Sequence, residues 1–391
     1  MLKQIEGSQA VAEAVALARP EVICAYPISP QTHIVEGLAR MVQAGELTGC
    51  EYLNVESEFG AMSVCVGASA TGARTYTATA SQGLLYMAEA VYNAAGLGLP
   101  IVMTVANRAI GAPINIWNDH SDVMSQRDCG WIQLHAASNQ EAADLHVQAF
   151  ALAEELSVPV MVCMDGFVLT HAHERVDVAT AEQVDAFLPP FVPRQVLDPA
   201  DPMSIGAMVG PDAFMEVRYL QHRRQLEALE AIPRVAARFT AAFGRASGGL
   251  VRAYRAEEAD TIVLGLGSVM GTVEDVVDDL RDQGHRVGAL TIGCFRPWPA
   301  AAVRAALAGH GVERVVVIDK ALAPGMGGVV GADVALALAA TPIAVYDVVA
   351  GLGGRPITSA SLRTLLARAE IDALEPLTFL DLDRDLVAGE T

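Results

Sequence analysis

Short apolar segments alternate with helical patterns from residue 20 to residue 165, and this alternation constrains the fold more than any other feature. The apolar segments are only five or six residues long, and the intervening segments repeat apolar residues at helical spacing. The alternation predicts an α/β domain with a largely parallel sheet and helices on both faces. The expected strands are residues 22–26, 51–55, 74–79, 101–106, 132–136 and 159–164.

Residues 177–258 break this pattern, because they contain two proline-rich stretches followed by a long polar helix over residues 216–245. A second α/β alternation begins near residue 260, with expected strands at residues 261–265, 287–292, 314–319 and 343–348. We therefore predict three regions: a first α/β domain over residues 1–176, a connector over residues 177–258, and a smaller α/β domain over residues 259–391.

The formal net charge of −20 argues against nucleic acid or an anionic membrane as a partner, because both require a basic surface. No apolar run approaches the ~18 residues of a membrane span, and the first residues lack a basic region followed by an apolar core. The six cysteines form no C-x-x-C pair, so we expect reduced core cysteines in a cytoplasmic protein, without an iron–sulfur cluster or zinc bound by this chain.

Two glycine-rich segments resemble dinucleotide-binding turns but are out of phase with that motif. Gly265-Leu-Gly267 has methionine where the third glycine should stand, and Gly325-Met-Gly327-Gly328 is also displaced. We interpret both as closely packed helix starts. His171-Ala-His173 has no third ligand at a regular offset, which favours solvated loop histidines over a metal site.

Polar motifs follow the expected strands of the first domain, namely Tyr26-Pro-Ile-Ser-Pro30, Val55-Glu-Ser-Glu-Phe59, Ala80-Ser-Gln-Gly83 and Asn107-Arg108. The residues just past the carboxyl ends of parallel strands line the binding crevice of such sheets. This places Ser29, Glu58 and Arg108 along one rim. Glu58 also opens a helix, where a carboxylate is favourable for purely structural reasons.

These motifs, together with Ile116-Trp-Asn-Asp-His-Ser-Asp122, resemble the alpha subunits of 2-oxoacid:ferredoxin oxidoreductases. Gly267-Ser-Val-Met-Gly271, Phe295-Arg-Pro-Trp-Pro299 and Gly351-Leu-Gly-Gly-Arg355 resemble the transketolase C-terminal-like domain of the same family. The resemblance covers nearly the whole chain. It implies a pyrimidine-type thiamine-diphosphate-binding domain followed by a smaller transketolase C-terminal-like domain.

The resemblance also implies roles for individual residues. Glu58 matches the glutamate that hydrogen-bonds the aminopyrimidine ring of thiamine diphosphate, and Ser81 and Gln82 match the turn beside that ring. Arg108 matches the position that binds the 2-oxoacid carboxylate. Ser29 matches a position near the substrate oxygen that is usually threonine in the family, so substrate size is open. We expect catalytic roles for Glu58, Arg108 and Ser29, and cofactor binding by Glu58, Ser81 and Gln82.

The chain lacks the Gly-Asp-Gly motif that, with a later asparagine, holds Mg²⁺ and the diphosphate in this superfamily; Met164-Asp-Gly166 is the nearest match, and no asparagine follows Asn139. The resemblance therefore implies a beta-type subunit that supplies the Mg²⁺ site and the cysteines of [4Fe-4S] clusters. It further implies gamma-type and ferredoxin-like subunits, with CoA as co-substrate. No metal site is expected in this chain.

The implied reaction is CoA-dependent oxidative decarboxylation of a 2-oxoacid to an acyl-CoA and CO₂, with ferredoxin or another acceptor reduced. Pyruvate is the default substrate. The smaller Ser29 keeps an aryl 2-oxoacid such as phenylglyoxylate as an alternative. Two other classes remain open at this point: the beta chain of a thiamine-dependent dehydrogenase that feeds a lipoyl carrier, and a non-catalytic binding subunit.

Overall fold

A computed structural model of the protein describes residues 1–308 and 311–389, which form two compact units. The first unit consists of Met1–Leu250 and Gly293–Pro299, and the second of Val251–Ile292 and Ala300–Thr391. The chain thus leaves the first unit at Leu250, inside the segment assigned to the connector. A short segment, residues 293–299, then returns to the first unit.

The bounds of the elements follow in chain order. The strands are β1 (Leu2–Glu6), β2 (Val22–Ala25), β3 (Glu51–Asn54), β4 (Thr75–Thr79), β5 (Val102–Asn107), β6 (Ile132–His135), β7 (Val160–Asp165), β8 (His173–Asp177), β9 (Val251–Tyr254), β10 (Thr261–Gly265), β11 (Val287–Ile292), β12 (Cys294–Arg296), β13 (Arg314–Asp319), β14 (Ala344–Val349) and β15 (Leu377–Phe379). The helices are α1 (Gly7–Leu17), α2 (Thr32–Gln43), α3 (Glu58–Ala70), α4 (Ser81–Tyr86), α5 (Ala88–Leu97), α6 (Ser121–Ser125), α7 (Asn139–Leu156), α8 (Ala181–Phe187), α9 (Pro211–Phe243), α10 (Val269–Asp282), α11 (Ala300–Leu307), α12 (Val329–Leu338), α13 (Ser359–Glu370) and α14 (Arg384–Val387).

The main sheet of the first unit has the strand order β12-β6-β7-β5-β4-β2-β3. Neighbouring strands are parallel except β12, which pairs antiparallel with β6 at one edge. Every residue of β4, β5 and β7 is buried, as expected for central strands covered on both faces. This arrangement confirms the predicted α/β class with a parallel sheet.

The first unit also contains elements that the alternation did not indicate. β1 pairs antiparallel with β8 outside the main sheet, and α1 lies between them in the chain sequence. α1 consists mostly of alanine and valine and buries Ala10, Val11, Ala14 and Val15 in the core. Because this helix has almost no polar face, its sequence lacks the contrast that marks an amphipathic helix.

The second half of the long helix α9 packs into the core of the first unit. Ala228, Ile232, Val235 and Phe239 are buried in the same core as α1 and α7, whereas most residues before position 221 are exposed. Its hydrophobic residues are interspersed with many charges. Among the described residues, no helix combines the length and the apolar composition needed to cross a bilayer.

The second unit is a six-stranded sheet, among the described residues, in the order β15-β14-β13-β10-β11-β9. All pairs are parallel except β9 with β11. Gly328, just before α12, lies against two carboxylates, one at the end of β13 and one within β14: a Cβ on Gly328 would lie 2.5 Å from Oδ2 of Asp319 and 2.3 Å from Oδ1 of Asp347. The glycines therefore permit close packing at a helix start, as the sequence pattern predicted.

Candidate active site

The predicted site residues lie at the carboxyl end of the main sheet of the first unit. β7, β5, β4 and β2 are adjacent and parallel, so the segments that follow them meet at one edge. Ser29 follows β2, Ser81 and Gln82 follow β4, and Arg108 follows β5. Glu58 begins α3 after β3.

Arg108 is a buried cation bound only by neutral groups. Its guanidinium donates to the Ser29 carbonyl at 2.8 Å, to the Asn115 carbonyl at 3.3 Å and to Oε1 of Gln82 at 3.4 Å. Only 7% of the residue is exposed, and burial lowers its pKa. Within residues 1–308 and 311–389, no carboxylate forms an ion pair with this guanidinium, so an anionic ligand would complete its surroundings.

Glu58 is a buried carboxylate with the complementary need for a donor. Only 7% of the residue is exposed, and no hydrogen bond or ion pair to its carboxylate occurs in the described part of the chain. A Cβ on Gly83 would lie 2.7 Å from Oε1 of Glu58 and 2.9 Å from its Cγ, so a larger residue there would displace this carboxylate. A carboxylate left unpaired in this way fits a ligand that donates a hydrogen bond, such as a protonated ring nitrogen.

Ser81 and Gln82, in the first turn of α4, lie beside Arg108. The Ser81 hydroxyl donates to the Ala109 carbonyl at 2.5 Å and also contacts Oε1 of Gln82. Gln82 in turn accepts a hydrogen bond from Arg108. Gly83, in the same turn, lies against Glu58. Ser29 reaches this cluster through its backbone carbonyl, and its residue is exposed.

Asp122 fixes the positions of the segments that follow β4 and β5. This fully buried carboxylate accepts hydrogen bonds from the backbone amides of Ser81 at 3.0 Å, Arg108 at 2.9 Å and Val123 at 2.7 Å, and from Nδ2 of Asn107 at 2.9 Å. Burial raises its pKa, and the four donors oppose that shift. Asp122 thus joins the segments after β4 and β5, and it acts as a positioning residue.

Two regions of the chain match family models. Residues 13–237 match the family described as pyruvate flavodoxin/ferredoxin oxidoreductase, thiamine diphosphate-binding. Residues 259–362 match pyruvate:ferredoxin oxidoreductase core domain II. The chain belongs to the pyruvate:ferredoxin oxidoreductase family. The resemblance recognised in the motifs is therefore confirmed, and the chain is a subunit of an oxidoreductase.

Relatives of known sequence agree with this membership. The pyruvate synthase subunit PorA of Methanosarcina barkeri is 45% identical over 98% of this chain and 97% of its own length. The ketoisovalerate oxidoreductase subunit VorA of Pyrococcus abyssi is 40% identical over 93% of this chain and 92% of its own. Both are named as subunits, so family members work in multi-subunit enzymes.

A solved 2-oxoglutarate:ferredoxin oxidoreductase from Magnetococcus marinus, with 2-oxoglutarate, coenzyme A and succinyl-CoA bound, has a similar fold with a TM-score of 0.71. The two sequences are 19% identical, and the match covers 95% of this chain and 65% of that one. The solved chain is therefore considerably longer. At this identity the likeness supports the fold alone, and it agrees with the predicted architecture.

Two buried histidines, to which the sequence analysis assigned no role, lie in the first unit. His120 and Asp165 are hydrogen-bonded, with 2.6 Å between Nε2 and Oδ1, at the end of β7. The rings of His120 and His135 are 5.6 Å apart, and burial lowers the pKa of His135 to about 3. Phe295, from the motif attributed to the second domain, packs perpendicular to His135 at 6.3 Å within the first unit.

Proposed function

We propose that this chain is the alpha subunit of a pyruvate:ferredoxin oxidoreductase, which converts pyruvate and CoA to acetyl-CoA and CO₂ while the electrons released reduce ferredoxin. The observation that carries the proposal is the pair of buried charges, Glu58 and Arg108, near the first turn of α4: neither forms an ion pair within the described residues. One calls for a hydrogen-bond donor and the other for an anion. An aminopyrimidine ring and a 2-oxoacid carboxylate meet those two requirements.

In this proposal each residue has a separate task. Arg108 binds and orients the substrate carboxylate, with its own position set by the Ser29 and Asn115 carbonyls. Glu58 accepts a hydrogen bond from the pyrimidine ring and thereby favours the tautomer that takes up a proton. Thiamine diphosphate supplies the nucleophilic carbon and accepts the electrons left when CO₂ departs. Ser81 and Gln82 keep the turn against the ring and the arginine.

The remaining parts of the enzyme are assigned to partner chains. The absence of Gly-Asp-Gly supports a beta-type subunit that holds Mg²⁺ and the diphosphate. The six cysteines are free, and five of them are buried at scattered positions, which supports [4Fe-4S] clusters on other subunits. Gamma-type and ferredoxin-like subunits and CoA complete the proposed complex, which we assign to the cytoplasm. The relatives named as subunits are consistent with such an assembly.

Pyruvate is the favoured substrate because the PorA relative is the more similar of the two compared and is aligned over nearly its full length. The VorA relative makes the branched ketoisovalerate the second candidate. An aryl substrate such as phenylglyoxylate and the lipoyl-dependent dehydrogenase class are not favoured, since both matching family models describe pyruvate:ferredoxin oxidoreductases.

The test is to purify the chain as a complex with its beta-, gamma- and ferredoxin-type subunits and to measure CoA-dependent reduction of a viologen dye. Initial rates with pyruvate, ketoisovalerate and phenylglyoxylate give kcat/KM for each. The proposal expects the highest value for pyruvate. A higher kcat/KM for ketoisovalerate or phenylglyoxylate would identify that acid as the substrate in place of pyruvate. If no 2-oxoacid supports reduction of the dye, the proposed activity is rejected.

A further inference from the structure

We propose that Glu6, His33 and His171 form a binding site for Zn²⁺ or a similar divalent transition metal. One potential ligand atom from each residue lies within 4.8 Å of those from the other two. Within the part of the chain that the structure describes, this is the one group of three such residues with that spacing. Two imidazoles and one carboxylate are a donor set that suits zinc.

The three residues come from distant parts of the sequence. Glu6 ends β1, His33 lies in the first turn of α2, and His171 lies in the loop between β7 and β8. The sequence pattern paired His171 with His173, but His173 is exposed in β8 and is not part of the trio. The site could not be found from spacing, because its members are 27 and 138 residues apart along the chain.

The backbone on which the ligands stand is fixed before any metal binds. The amide of Gly7 donates to the Ala172 carbonyl at 3.1 Å, and the amide of Ser8 donates to the Thr170 carbonyl at 2.9 Å. These bonds hold the residue after Glu6 against the residues on either side of His171. The metal would therefore bind a largely preformed pair of segments, with less ordering of the chain.

The side chains show the contacts expected around a metal ligand. Nδ1 of His171 lies 2.7 Å from Oγ1 of Thr170, so this hydroxyl can orient the ring and leave Nε2 for the metal. Nδ1 of His33 lies 2.7 Å from Oε1 of Glu6, and the two imidazole rings are 4.7 Å apart. Zinc needs ligand atoms about 3.4 Å apart, from bond lengths of about 2.1 Å. Nδ1 of His33 and Oε1 of Glu6 are closer than that, and a rotation of the half-exposed His33 ring would bring them to the spacing that zinc needs.

An isolated surface ion pair does not account for this arrangement equally well. His285 and Glu370 in the second unit form such a pair, with the same 2.7 Å between Nδ1 and Oε1, and no second imidazole joins them in the described residues. The first-unit trio adds that imidazole and its orienting hydroxyl. The His285–Glu370 pair is therefore a matched internal control.

The expected role is to tie the first turn of α2 to the loop after β7, close to the substrate arginine. α2 begins three residues after Ser29, whose carbonyl holds Arg108. In the same loop as His171, Gly166 lies against Pro30, since a Cβ there would be 2.6 Å from the proline ring. A bound cation would stabilise both segments without taking part in the reaction, so the site is independent of the proposed function.

The experiment is a titration of the tag-free full-length chain with Zn²⁺ in competition with a chromophoric chelator. We expect about one equivalent bound at micromolar affinity or better, and a rise in Tm on zinc addition. His33→Ala, His171→Ala and Glu6→Gln should each weaken binding at least tenfold and abolish the rise in Tm. His285→Ala and His173→Ala should change neither.

Circular dichroism and metal-free Tm values of the variants establish that each is folded, and the conservative Glu6→Gln keeps the side-chain size. Substoichiometric zinc in the wild-type chain would overturn the site. So would unchanged affinity in His33→Ala or His171→Ala, or a loss in His173→Ala as large as that in His171→Ala. Because no substrate is present, these outcomes are distinct from failure of the proposed activity.

Discussion

At the residue scale, burial distinguishes Glu58, which we propose binds the pyrimidine ring, from Glu89, another glutamate at the start of a helix. Both lie in the first turn of a helix, but Glu58 is buried and Glu89 is exposed. We expect Glu58→Gln to retain the fold and to lower turnover of the complex by roughly 10²–10⁴-fold, the usual effect of losing a positioned acid–base group. Glu89→Gln should leave kcat within a factor of two or so. Near-normal turnover of Glu58→Gln would contradict its assignment to the pyrimidine ring.

Arg108 offers a planar fork that a lysine cannot reproduce. Arg108→Lys keeps the positive charge but loses the bidentate geometry and the separate bonds to the Ser29 and Asn115 carbonyls. We expect KM to rise for all 2-oxoacids together, by roughly 10–150-fold if one charge-assisted bond of about 1.5–3 kcal/mol is lost. Steady-state kinetics with pyruvate and phenylglyoxylate measure the KM values of Arg108→Lys, and Arg127→Lys serves as a surface control. A rise for one substrate alone would argue against carboxylate binding.

Ser29 belongs to the same cluster, although its hydroxyl is not used in holding Arg108. Ser29→Thr adds one methyl group on the exposed side of the turn. Because one methyl-sized group changes specificity by about 1–3 kcal/mol, the ratio of bulky to small 2-oxoacid turnover should shift by roughly 10–200-fold in favour of pyruvate. The kcat/KM ratio of phenylglyoxylate to pyruvate is the measurement. An unchanged ratio would assign substrate size to the partner subunit.

Residues that stand in a recognisable motif could be proposed as site residues from the sequence. A residue whose role depends on contacts from distant segments could not. Glu58 and Arg108 stand at strand ends within long motifs, so both type and position pointed to a role. Asp122 appeared only as the last letter of a motif. Its importance depends on the backbone amides of Ser81 and Arg108, which donate to it from two separate segments, and no pattern along the chain encodes those contacts.

At the element scale, a chain of hydrogen bonds links β4, β5 and α7. The Tyr76 hydroxyl and Oγ1 of Thr104 are 2.6 Å apart, Oγ1 of Thr104 and Nε2 of His146 are 2.5 Å apart, and Nδ1 of His146 lies 2.7 Å from the Ala142 carbonyl. The carbonyl can only accept, so Nδ1 carries the proton and Nε2 accepts from Thr104. All three side chains are fully buried, and burial lowers the pKa of His146 to about 4.

This neutral histidine makes stability depend on pH. An unfolded histidine has a pKa near 6.5, so between pH 6.5 and about 4 the unfolded chain binds a proton that folded His146 does not. The stabilisation is complete above pH 6.5 and is lost as the pH falls, by up to about 1.4 kcal/mol per pH unit. Urea unfolding of the wild-type chain from pH 7.5 to 4.5 should show this loss. His146→Gln should be less stable than the wild type at pH 7.5, but its free energy of unfolding should change less steeply with pH. The variant His173→Gln, at an exposed position, should follow the wild type. Equal pH slopes for His146→Gln and the wild type would refute the explanation.

Elements with strong patterns were predicted closely, and the exceptions have physical reasons. The expected strands at 261–265, 287–292 and 314–319 coincide with β10, β11 and β13. The segment between β4 and β5 contains two helices, α4 and α5, which meet at Met87, and the alternation of strands and helices gave no sign of this break. β12 has three residues and exists because it pairs with β6, about 160 residues earlier in the chain. Such a short edge strand owes its structure to its partner and has no periodicity of its own.

At the scale of the whole molecule, composition and alternation indicated two α/β units, but not which segments complete them. α9 was expected as part of a connector, and its second half is instead buried in the core of the first unit. Its apolar residues are spaced among charges, so the sequence indicated a helix but not the surface that it covers. Residues 293–299 likewise belong to the first unit although they lie between strands of the second.

Alone, this chain should hold only a small part of the proposed cofactor site. In the proposed site Glu58 provides one hydrogen bond to thiamine diphosphate, and the chain lacks the Gly-Asp-Gly motif for Mg²⁺ and the diphosphate, which carry most of the cofactor's charge. One charge-assisted hydrogen bond is worth about 1.5–3 kcal/mol, whereas micromolar affinity requires about 8 kcal/mol. The isolated chain should therefore bind thiamine diphosphate more weakly than about 1 mM, with or without Mg²⁺. It should also be colourless, because its cysteines are dispersed.

Calorimetry and absorption spectra of the isolated chain, compared with the assembled complex, measure both properties. Micromolar Mg²⁺-dependent binding by the isolated chain would mean that the diphosphate site lies on this subunit, and the proposed division of the cofactor between two chains would have to be abandoned.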